Sequence, residues 1–142
     1  MGKINVGRLI LGGIVAGTVY NLLDYVVDGK WLGPHWAGQM GLLGRNAFSS
    51  NTWIKFDLLG ILGGIAAIWI YAAIRPRFGP GVKTAIYAGV VTWILAFLLP
   101  NSAFMWFMGL FTKHLTLYTT IGAFFEIVIA TIVGAWLYKE AE

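Results

Sequence analysis

Apolar residues fall into four long runs, separated by stretches rich in glycine, proline and charge. About 20 apolar residues cross a bilayer core as a helix. Run length therefore predicts spans at about 6–27, 53–74, 83–99 and 115–138. The expected fold is all-α: a bundle of four transmembrane helices with two short interfacial segments on the outer side. It occupies a single integral membrane domain over 1–142. The first interfacial segment lies in the linker from Asp28 to Asn51, where Pro34 suits the start of a helix. Trp36, Met40 and Leu43 share one face of that helix by three- and four-residue spacing. The second runs from Pro100 to His114 and carries Phe104, Trp106, Phe107 and Phe111.

Within each span small and large residues sort onto opposite faces. In the last span Thr119, Gly122, Ala123, Ala130 and Val133 surround Glu126, while Leu117, Ile121, Phe124 and Val128 lie opposite. In the first, Gly13, Gly17, Tyr20, Asn21, Asp24 and Asp28 share a face. Gly13-x-x-x-Gly17 and Gly60-x-x-x-Gly64 offer close backbone approach. Lipid gives helices no hydrophobic reason to associate, so small-residue faces mark the expected seams.

The first run resembles a signal peptide in having Lys3 and Arg8 ahead of apolar residues. It is longer than the usual apolar core of a signal and ends in Asn21, Asp24 and Asp28. A retained first span is expected. Short matches around Met40-Gly41-Leu42 and Met108-Gly109-Leu110 also raise an internal duplication, each half being span, surface segment, span.

Composition agrees with a membrane chain, at 58% hydrophobic and 11% charged residues. Cysteine is absent, which excludes disulfides and thiolate metal sites. The net charge of +4 does not point to nucleic acid, because the basic residues sit at the ends of apolar runs. Lys3, Arg8, Arg75, Arg77, Lys83 and Lys139 fall on one side; Lys30, Arg45, Lys55 and Lys113 fall on the other. The positive-inside rule then places both termini and the 75–83 turn in the cytoplasm.

Glu126 is the one ionisable group deep in the last span. A charge there costs about 2.5–3.5 kcal/mol or more, which makes it a default functional candidate. No Lys or Arg matches its depth, so it is expected to sit uncharged. Tyr20, Asn21, Tyr87 or Thr92 would be its hydrogen-bond partners. The two readings are a proton relay or cation site, and a helix lock. Asp24, Asp28 and Asp57 form a separate outer acidic cluster, with ion pairing favoured over a Ca²⁺ site because their spacing matches no metal motif. No metal site is therefore assigned. His35 and His114 are candidate ligands for a tetrapyrrole pigment. No nucleophile–base pair, zinc motif or phosphate loop is visible, so no catalytic residue and no enzyme activity are expected.

The turn Ala72-Ala-Ile-Arg-Pro-Arg-Phe-Gly-Pro-Gly-Val-Lys-Thr-Ala85 carries Arg75, Arg77 and Lys83, suited to anionic lipid headgroups. With Arg8-Leu-Ile-Leu-Gly-Gly-Ile-Val-Ala-Gly17 and Gly134-Ala-Trp-Leu-Tyr-Lys139, it resembles a family of small four-span bacterial inner-membrane proteins of uncharacterised activity. The resemblance implies the four-span architecture and that membrane, and no functional residue. The leading expectation is a non-catalytic accessory or scaffold subunit, in contact with lipid and with other membrane subunits or its own copies. A small transporter or channel using Glu126, and a pigment- or lipid-binding subunit, are the alternatives. No cofactor is required by any of them, a bound lipid or pigment aside.

Overall fold

The structure is a computed structural model that describes residues 3–45 and 50–141. Residues 46–49 of the first outer linker lie outside the described residues. Among the described residues the chain is all-α. Its helices are α1 (Val6–Asp24), α2 (Gly33–Leu42), α3 (Ser50–Phe78), α4 (Val82–Trp93) and α5 (Lys113–Leu137). Two of them run on as wider π-type turns: α1 through Tyr25–Trp31, and α4 through Ile94–Leu98 and Asn101–Phe107. The four rods long and apolar enough to span a membrane are Val6–Trp31, Asn51–Phe78, Val82–Phe107 and Lys113–Leu137.

Asn5 caps α1 by accepting from the Arg8 amide, and Thr112 caps α5 by accepting from the Leu115 amide. The break between α3 and α4 falls later than the sequence suggests. Pro76 lies inside α3, and the helix stops only after Phe78. Gly79 adopts φ +82°, its amide donating to the Arg75 carbonyl at 2.8 Å. That left-handed cap suits glycine and ends the helix, so the glycines make the turn and the proline does not.

The second interfacial segment also differs from expectation. Residues 101–107 continue the third span in π form instead of leaving it. Pro100 has no amide hydrogen and would clash in a regular helix. The wide turn Ile94–Leu98 precedes it, with the Leu99 amide reaching back to the Ile94 carbonyl. Pro100 is thus carried by a helix that has already loosened. The two halves therefore differ, since only the first has a separate surface helix.

Each rod packs antiparallel against two neighbours: α1 and α4 each lie between α3 and α5. The termini share one end. Lys3 and Ala141 form a short backbone bridge there, and Arg75 Nη1 stands 3.2 Å from Glu140. Packing is tightest in this terminal half. Leu9, Ala16, Ile68, Tyr71, Ala85 and Tyr138 belong to its buried cluster. A side chain on Gly13 or Gly17 would strike the backbone of Ile65 or Ile61; one on Gly64 would strike Gly13 and Gly17.

Gly64→Ala is accordingly expected to destabilise the bundle by about 1–3 kcal/mol through overpacking. Gly63→Ala, next to it but with nothing within 4 Å of the added carbon, should be neutral or stabilising by about 0.5–1 kcal/mol. Thermal unfolding of both variants in detergent measures the contrast.

Candidate functional site

The distal half, away from the termini, is built differently. There the π continuation of α4 packs on α5, and a cavity separates it from α3. The cavity measures about 640 Å³, within the range of small-molecule sites. Its walls are largely apolar and aromatic, with Trp53 and Phe56 from α3, Phe97 and Met105 from the third span, and Phe111 before α5. Helix α2 covers one side with Trp36 and Met40, and Trp36 meets Phe111 edge-on at 5.2 Å. The face expected to lie on the membrane thus roofs the cavity, while Leu43 just past the helix is half exposed.

Asp24 and Asp28 line this cavity. Each is held by neutral donors. The Tyr20 hydroxyl donates to Asp24 Oδ1 at 3.0 Å. Trp36 Nε1 donates to Asp28 Oδ1 at 2.7 Å, and Thr119 Oγ1 donates to the same oxygen at 3.0 Å. Behind them stands Glu126, only 2% exposed, with both carboxyl oxygens buried and without a hydrogen-bond partner. One oxygen from each of Asp24, Asp28 and Glu126 lies within 4.8 Å of the others.

This grouping departs from the one expected. Glu126 joins Asp24 and Asp28, and Asp57 does not: it is exposed, and its backbone carbonyl accepts from Asn21 Nδ2 at 2.9 Å. Of the expected partners of Glu126, Tyr20 serves Asp24 and Asn21 serves Asp57. Thr92 is buried at the cavity wall and donates to the Ala88 carbonyl. Tyr87 sits near the terminal end, with its ring on Phe78 and Lys83 Nζ 5.9 Å above it. Asp28 meets Thr119, seven residues outward of Glu126 on α5, and a helical side chain leans toward its own N-terminus, so Glu126 reaches outward to the two aspartates.

The basic residues are elsewhere. Among the described residues no Lys or Arg lines the cavity. Lys30 Nζ lies 5.4 Å from the Tyr25 ring centre instead of pairing with the cluster. Arg75, expected to face lipid headgroups, turns toward Glu140 and the Tyr138 ring, while Arg77 and Lys83 are exposed. His35 and His114 are exposed and do not border the cavity; His114 stacks on Tyr118.

Sequence reading missed Trp36 and Thr119 as the donors that hold Asp28. A Thr on the Glu126 seam was visible, but its match to Asp28 depends on the longer first span. Comparison with family models, curated proteins and solved structures finds no match for this chain.

Chemically, three carboxyl groups this close repel one another unless protons or a cation stand between them. The donors on Asp24 and Asp28 orient the acids, as outer hydrogen bonds orient the ligands of an ion site. Trp36→Phe and Thr119→Val should each cost about 1.5–3 kcal/mol, the usual range for a hydrogen bond to a charged group. Sharing one acceptor oxygen, their effects should not add. A double-mutant cycle on unfolding in detergent is the check.

Proposed function

We propose that the protein is a small membrane carrier for a cation, with Asp24, Asp28 and Glu126 as its binding group. One observation carries this reading: Glu126 is buried and unpartnered within 4.8 Å of two other acids. An uncompensated charge at bilayer depth costs about 2.5–3.5 kcal/mol by insertion scales, and adjacent like charges add to that. Positive charge is the natural remedy, and the chain's own Lys and Arg are placed elsewhere. The cavity gives access from the distal half, and the packed terminal half closes the opposite route. That asymmetry suits a carrier resting open to one side.

The membrane is assigned as a bacterial inner membrane, following the resemblance of the turn sequence. Six of the ten Lys and Arg residues lie at the terminal end, which supports a cytoplasmic terminal end with the cavity toward the outside. The accessory-subunit reading rests on the broad apolar exterior and the scarcity of chain outside the spans. Contact with lipid accounts for both, so the carboxylate group outranks it.

The test is thermal unfolding in nanodiscs with Na⁺, Ca²⁺ and octylammonium added separately. A ligand at 100 times its Kd stabilises the protein by about 2.7 kcal/mol. At least one cation is expected to raise the Tm of the wild type and to leave Glu126→Gln unmoved. Identical responses of the two proteins to every cation would overturn the proposal.

A further inference from the structure

We propose that the cation is an amphiphilic primary amine, its ammonium seated among Asp24, Asp28 and Glu126 and its apolar body in the adjoining cavity. This rests on the cation-binding reading above and names the class of ligand. Three observations lead to it.

The first is the spacing of the acids. A primary ammonium donates three hydrogen bonds; at about 2.8 Å to each acceptor with tetrahedral spread, the three acceptors stand about 4.6 Å apart. The three carboxyl oxygens, all within 4.8 Å of one another, are close enough to converge on one such group. A Ca²⁺ ion takes about six to eight oxygens at 2.3–2.6 Å. Here the lining beside the acids is mostly apolar and aromatic, Trp36, Phe97, Met105 and Phe111 among them, with Tyr20, Thr92, Asn101 and Thr119 as its polar exceptions.

The second is the size and lining of the space beside the acids. At about 640 Å³ it far exceeds an ion and its waters, since one water occupies about 30 Å³. Apolar and aromatic walls fit a hydrocarbon body, and aromatic faces tolerate a nearby cation. The absence of Lys and Arg from the lining, among the described residues, argues against a zwitterionic lipid. Its phosphate would be buried beside carboxylates with nothing to pair it.

The third is the route. Phe56 and Leu59 line the cavity and are 50% and 61% exposed. The exposed Ala96 of the third span lines it too. With α3 and the π continuation of the third span parted there, exposed residues on both sides of the gap make it the proposed way in from the lipid that an amphiphile occupies. Asp24 and Asp28 are met first, and Glu126 completes the seat behind them.

The experiment is calorimetric titration of the protein in zwitterionic nanodiscs, with empty nanodiscs subtracted. The probes are octylamine, octyltrimethylammonium, methylamine and CaCl₂. Octylamine is expected to bind saturably, and Glu126→Gln and Asp28→Asn are each expected to weaken it tenfold or more. Octyltrimethylammonium, with the same charge and no N–H, should bind at least tenfold more weakly. So should methylamine, which has the headgroup and no body. Leu59→Trp, which narrows the sideways gap, should slow octylamine association by tenfold or more in stopped-flow tryptophan fluorescence. Equal binding of octylamine and its trimethyl analogue overturns the three-bond seat. Equal binding of methylamine overturns the role of the cavity, and an unchanged association rate in Leu59→Trp overturns the lateral route. Saturable Ca²⁺ binding lost in Glu126→Gln, without octylamine binding, overturns the amine and leaves the cation reading standing. If no probe distinguishes wild type from Glu126→Gln, both fall.

Discussion

Lipid tails are as apolar as leucine, so four apolar helices stay together only where their backbones can touch. Gly13, Gly17 and Gly64 provide that contact, each lacking the Cβ that would collide with the facing helix. All three join α1 to α3, beside the buried cluster around Ile68 and Tyr71. The third span lies off that seam and is free to part from α3 at the far end. The third span follows α5 away from α3, and the space left is the cavity. Helix α3 thus has a close contact with α1 on one seam and the empty chamber on another.

The chamber then sets the terms for the acids. Asp24 and Asp28 sit where a polar group is tolerable, beside a cavity and within reach of Tyr20, Trp36 and Thr119. Glu126 has no such relief. A helix lock would show a bond from Glu126 to a neighbouring helix, and none is present among the described residues. An aliphatic residue at that position would pack without electrostatic cost. A buried acid that stabilises nothing by itself is understandable when another charge completes it.

The spans were legible because apolar run length is governed by bilayer thickness, and their sequence bounds agree with the rods to within a few residues at most ends. The exceptions share one cause. Asp28 and Pro100 read as helix ends, since charge and proline normally finish a span. Both are carried onward by π turns, which have no simple hydropathy signature. The small-residue face around Glu126 was legible as well, and Ala123 and Ala130 are buried as that face requires. Its partners were not, because depth was counted from a first span taken as four residues too short and a third taken as eight too short, and because the outward lean of the Glu126 side chain was not counted. The third span, running on to Phe107, carries Tyr87 away from Glu126, and the level of the aspartates shows only in the contact of Thr119 with Asp28. Asp57 drops out for a different reason: it occupies the exposed side of α3, which spacing alone did not resolve.

The π turn Tyr25–Trp31 also governs the chain beyond it. A one-residue change in a helix rotates everything downstream by about 100°. Helix α2 begins two residues after Trp31, and its Trp36 reaches back to Asp28 across the roof of the cavity. Whether that roof faces the chamber or turns away is therefore a matter of phase, set by a single residue's worth of chain. The surplus residue in the turn is less an irregularity than an angular setting: it aims the next helix.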